Sequence, residues 1–228
     1  MVATLVRKEL REIRAFAAPA LALYLVYAAH LTGAGGPTIQ RLGGILPGLS
    51  GLRADVPFVQ DGVGFVLMLL LIGGALAVAL GFRQSAWEPS QGTSLYLLHL
   101  PLPRRAIFLT KMLTGVGLLL ACTLTPILLY GLWASTPRTH PGPFEWSMTG
   151  TAFRAWCVLP LVYLGAFASG IRPARWFGSR LLPLAAVVIP AIVAVAATRW
   201  WTFGLPILAL ANAAFVVVIL REAEARDY

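Results

Sequence analysis

The side chains that could do chemistry are few, and most of them stand alone. Ser50 lies in Gly48-Leu49-Ser50-Gly51, a run that could present a nucleophilic hydroxyl. A serine attacks only when a base takes its proton, and histidine is the usual base. The histidines are His30, His99 and His140. They are followed by Leu31, Leu100 and Pro141, so no His-Glu-x-x-His zinc motif is present. The lysines are Lys8 and Lys111, preceded by Arg7 and Thr110, so a Gly-Lys-Ser/Thr phosphate loop is absent too. Cys122 and Cys157 both fall in apolar runs and read as small buried hydrophobes, not as a disulfide or a metal pair. No catalytic residue and no metal ligand is assigned on these grounds, and residues 48–51 read as a Gly-rich turn.

The elements that must carry whatever remains are apolar. Of 228 residues, 58% are hydrophobic and 12% are charged, a balance that points to the membrane. Six apolar runs cover about Ala15–Thr32, Val63–Phe82, Ile107–Trp133, Ala155–Ile171, Leu181–Thr198 and Phe203–Leu220. Most approach the roughly 17–25 residues that cross a bilayer core. Backbone groups in lipid must bond within their own segment, so helices are expected, and residues 1–228 read as one all-α transmembrane domain. Residues 1–14 predict an amphipathic interfacial helix, with Val6, Leu10 and Ile13 on one face and Arg7, Arg11 and Arg14 on another. Glu9 and Glu12 argue against reading this start as a signal peptide.

Orientation follows from the Lys and Arg residues. With the N-terminus inside and six crossings, only Arg41, Arg53, Arg138, Arg154 and Arg199 of the 18 fall outside. This satisfies the positive-inside rule and predicts both termini in the cytoplasm of a multi-pass protein of the cell's inner (plasma) membrane. The net charge of +9 is thereby explained without nucleic acid, because the basic residues sit at the ends of apolar runs rather than on a stripe. Trp133, Trp146, Trp200 and Trp201 would mark the outer interface, and Trp87 and Trp176 the inner one. Gly73, Ala77 and Gly81, and Gly165 with Ser169, predict close helix approach within the chain. Pro126, Pro183 and Pro190 predict kinks or breaks. Polar groups at depth are rare: Thr123, Thr125 and Asn212 are the candidates for a substrate pathway, with an Asn-to-backbone bond the plainer role for Asn212.

One stretch stands apart. Residues 83–106 form an inner loop between the second and third runs. Glu88 and Pro89 suit the first turn of a short helix. Leu95, Tyr96 and Leu98 return at helical spacing, and Pro101 and Pro103 stop the pattern. Arg104 and Arg105 then lead into the next apolar run.

Glu88, Gly92, Thr93, Leu97, Leu98, Pro101, Arg104 and Lys111 together resemble the loop of type-2 ABC transporter permeases, over about thirty residues. The resemblance implies a cytoplasmic coupling helix that docks into a separate ATP-binding subunit. Tyr96, Leu97 and Leu98 would fill a groove on that ATPase, and Arg104 and Arg105 would hold the membrane edge. It also implies a second permease subunit, identical or not, with ATP and Mg bound by the partner and no cofactor bound by this chain. The chain would then be no enzyme by itself but the permease of an ATP-driven exporter.

Only residues 199–202 remain outside between the fifth and sixth runs. That brevity, with so few polar groups at depth, points to an apolar or amphipathic cargo such as a lipid, a peptide antibiotic or a drug. Leu100-Pro101-Leu102-Pro103 and the compact length are also similar to the haem-exporter permease of cytochrome c maturation. Six spans with Gly-x-Ser-Gly resemble rhomboid proteases as well, yet no histidine lies on the last helix where their base would be. A membrane scaffold that uses an ATPase without moving cargo is the remaining alternative.

Overall fold

Sequences this apolar can satisfy their backbone in lipid only by local bonding, and the computed structural model of the chain is built accordingly. It describes residues 2–34, 36, 56–59, 62–87, 103–172 and 177–225. Every regular element among them is helical: α1 (Val2–Thr32), α2 (Gly62–Ser85), α3 (Arg104–Ser135), α4 (Gly150–Ile171), α5 (Phe177–Ala186), α6 (Val188–Ala196) and α7 (Leu205–Ala225). A 3-10 turn at Trp146–Thr149 leads into α4, and a π-helical turn at Trp200–Gly204 leads into α7. Among the described residues six stretches are long and apolar enough to cross a membrane, with α5 and α6 together making the fifth.

The break between α5 and α6 falls at Val187 and has a local cause. Pro190 carries no N–H for the Ala186 carbonyl, and its ring crowds that group. Pro183 lies within α5, and Pro126 within α3, without ending either helix.

The start of the chain departs from the sequence expectation. Residues 2–14 are not a separate interfacial helix; they run without interruption into the first span as part of a 31-residue helix. The face differs too. The buried stripe is Leu5, Glu9, Ile13, Ala17, Ala20, Tyr24, Tyr27 and Ala28, whereas Leu10 is exposed. A helix of this length reaches about 45 Å at 1.5 Å per residue, longer than a hydrocarbon core of about 30 Å.

The helix at the centre is α4. Of its 22 residues 14 are buried, against 3 of the 21 in α7. Small residues make this possible. A Cβ placed on Gly81 of α2 would sit 2.7 Å from the Ala166 Cβ and 2.8 Å from the Tyr163 carbonyl oxygen, so α2 and α4 touch backbone to backbone. Gly165 faces the end of α5 and the break after it, at Pro183, Leu184 and the Val187 side chain. Next to it the Ser169 Oγ accepts a hydrogen bond from the Leu184 N–H at 3.1 Å. The four-residue spacings thus serve packing within the chain.

Opposite ends of the bundle are finished differently. Phe58 packs on Phe65 and Tyr130 at ring distances of 5.1 and 4.7 Å, and Tyr130 stacks on Trp133 at 5.6 Å. The other end, where α2 stops and α3 starts, is polar.

Candidate functional site

The polar end is built by four helices. α1 brings Glu9 on the same stripe as Ile13 and Ala17, two turns before the uncharged part of the helix. α2 brings Gln84 in its last turn, α3 brings Lys111 in its second, and α4 brings Tyr163 from its middle. All four are almost fully shielded: Glu9 is 1% exposed, Gln84 4%, Lys111 3% and Tyr163 0%.

Gln84 is the hub. Its Nε2 donates to the Glu9 Oε2 at 3.0 Å and to the Lys111 carbonyl oxygen at 3.2 Å. Its Oε1 accepts from the Tyr163 hydroxyl at 2.6 Å. The Lys111 ammonium lies 3.8 Å from the Glu9 Oε1 and balances its charge. A buried charge without a partner is very costly, so the pair fixes both side chains in place. Gly115 leaves the room this requires, since a Cβ there would collide with the Gln84 Oε1 and the hydroxyl end of the Tyr163 ring.

A second layer surrounds this knot. Glu12 of α1 reaches Arg83 of α2 at 3.7 Å and Lys8 at 3.5 Å. The Arg83 guanidinium lies 4.9 Å from the centre of the Trp87 ring. At the α3 start, Arg105 makes a two-pronged pair with Glu224 near the end of α7, one prong at 2.9 Å. Arg180 donates to the Ser169 and Gly170 carbonyl oxygens, where the α4 C-terminus has acceptors left over. The arrangement fastens both stems of the segment between α2 and α3 to α1, α4 and α7.

The sequence-derived candidates fall unevenly on this picture. Glu88, Gly92, Thr93, Tyr96, Leu97, Leu98 and Pro101, like Ser50 and His99, lie outside the described residues. Arg104 and Arg105 open α3, and Arg105 is joined to Glu224. Thr123 is fully buried and Thr125 half-buried, and each hydroxyl bonds within its own helix, to the Leu119 and Ala121 carbonyl oxygens. Asn212 donates to the Leu208 carbonyl oxygen at 2.7 Å, while its buried Oδ1 has no hydrogen-bond partner. Arg154 lies 5.8 Å from the centre of the Trp200 ring. Cys122 and Cys157 are free thiols.

The sequence reading missed Glu9, Gln84 and Tyr163 as one group. The available signal was Glu9's place on the Leu5–Ile13–Ala17 stripe, a charge on what proves to be the packed face.

Comparisons with models of protein families, with characterised proteins and with solved structures find no match for this chain. What the fold and site define is a multi-pass, all-helical membrane protein with a buried ionic knot at one end of the bundle.

Proposed function

We propose that the chain is the membrane-spanning subunit of an ATP-driven exporter, worked by a separate ATPase that docks on a helix from about Glu88 to Leu100. The observation that carries this reading is the residue pattern from Glu88 to Lys111, set between two spanning helices. Its support from the geometry is mechanical. Gln84 and Lys111, at the two stems of that segment, are bonded to each other and to Glu9 and Tyr163. A pull on the segment would therefore be felt by α1 and α4 together rather than lost in a loose hinge.

In this reading Glu88 starts the coupling helix, and Gly92 and Thr93 shape its approach. Tyr96, Leu97 and Leu98 enter the ATPase groove, Pro101 ends the helix, and Arg104 and Arg105 stay at the membrane edge. ATP and Mg belong to the partner. Two permease chains complete the exporter. Both termini and the coupling segment face the cytoplasm of the plasma membrane. The cargo is apolar or amphipathic, because few polar groups lie at depth in the spans.

Affinity purification in mild detergent tests the reading. The wild type should bring with it an ATPase that hydrolyses ATP, and Leu97→Asp/Leu98→Asp should lose it while keeping the same melting temperature. A well-folded wild type that brings no ATPase would leave a scaffold or another membrane activity in its place.

A further inference from the structure

A crevice of about 150 Å³ opens between α4, α5 and α7, at the end of the bundle that carries the ionic knot. Its apolar wall includes Ala168 and Ile171 of α4 and Val218 and Ile219 of α7. Two exposed charged residues, Arg172 and Glu222, line it as well. Neither side chain has an ion-pair or hydrogen-bond partner among the described residues. The two charges thus line one crevice without pairing with each other.

α4 ends at Ile171 and Arg172 follows; α7 carries no charge up to Leu220 and then turns charged. Both charges therefore stand where a span leaves hydrocarbon, at headgroup level. The apolar wall continues onto the outer surface of α7, where Val217 and Val218 are 48% and 51% exposed.

We propose that this crevice is a binding site for a zwitterionic aminophospholipid of the bilayer. The lipid phosphate sits on the Arg172 guanidinium and its primary ammonium on the Glu222 carboxylate. The first methylenes pass Ala168, Ile171 and Ile219, and the rest of the chain lies along Val217 and Val218. A space of roughly 150 Å³ takes a group about the size of benzene, so it admits part of a lipid and not the whole of one. Phosphatidylglycerol offers Arg172 the same phosphate but has a neutral glycerol where Glu222 would meet a cation. Free phosphate leaves the apolar wall unused. The site is present whether or not the chain works with an ATPase.

The test uses the full chain in nanodiscs of phosphatidylethanolamine and phosphatidylglycerol in equal amounts. The discs are dissolved in mild detergent, the protein is washed, and retained lipid is counted by mass spectrometry. The wild type should keep phosphatidylethanolamine over phosphatidylglycerol by about tenfold, the size of one charge-assisted hydrogen bond. Glu222→Gln should bring the ratio to about one, and Arg172→Gln should lower retention of both lipids by about tenfold; these magnitudes follow from removing one such bond each. Excess inorganic phosphate should displace nothing. Equal retention by the wild type, or unchanged retention in both variants, would mean lipid that merely coats the helices and would overturn the site. Should Arg172→Gln fail to fold, Val218→Trp fills the crevice from an exposed position. It must lose phosphatidylethanolamine with its melting temperature unchanged, and retention would equally overturn the proposal.

Discussion

Glu9 and Lys111 are the residues on which the account leans hardest, because each is a charge held away from water. Removing one leaves the other facing Gln84 and apolar walls. Glu9→Gln or Lys111→Met should each cost about 3–5 kcal/mol, the usual loss when a buried pair is broken from one side. The double variant should cost less than the sum of the two, since no charge is then left stranded. Thermal melts of the four proteins in one detergent provide the check, and simple additivity would contradict a coupled pair. Tyr163→Phe removes only a hydroxyl whose partner is 2.6 Å away. It should cost about 1–3 kcal/mol through the unsatisfied Gln84 oxygen, read from the same melts. None of this was legible residue by residue. Glu9 meets a partner 75 positions away, and Tyr163 meets one 79 away. A charge pattern near the start of a chain reads as a water boundary until its distant partner is known.

At the scale of elements much more was legible, for a physical reason. The length of an apolar run is set by the bilayer, so counting such runs predicts spans without any long-range knowledge. All six expected runs correspond to spanning stretches, and the Pro190 break appears where backbone chemistry requires it. Arg7, Arg11 and Arg14 suggest an interfacial helix that ends at Arg14, yet the helix continues to Thr32. A backbone hydrogen-bond ladder is indifferent to such charges when the opposite face can pack, and the Leu5–Glu9–Ile13–Ala17 stripe packs throughout. The small-residue pattern gives a sharp prediction at this scale. Gly81→Ala presses a methyl into the α4 backbone and should cost about 1–3 kcal/mol. Gly74→Ala, whose Cβ would meet nothing within 4 Å, should be neutral or stabilise by up to about 1 kcal/mol from helix propensity. Equal melts for the two variants would show that α2 and α4 do not touch as described.

For the whole molecule the central question is which side each end faces and what meets the segment between α2 and α3. In a background of Cys122→Ser/Cys157→Ser, single cysteines at Thr4 and Ala225 should label from one face of sealed vesicles. A cysteine at the exposed Thr136 should label from the other. The proposed orientation puts the first two on the cytoplasmic face, as the distribution of Lys and Arg implies. Labelling of Thr4 and Ala225 from opposite faces would remove one crossing from the fold. The candidate coupling residues themselves were named from a pattern of residue types. A pattern can specify what a partner would recognise, but not where the backbone places it. The most direct measurement therefore places a photo-crosslinking amino acid at Leu97, irradiates intact membranes, and identifies what is captured by mass spectrometry. The account predicts peptides of an ATPase that carries a Gly-Lys-Ser/Thr loop, lost when Leu98→Asp is added. Capture of lipid or of this chain alone, from a protein that is folded and correctly oriented, would contradict it.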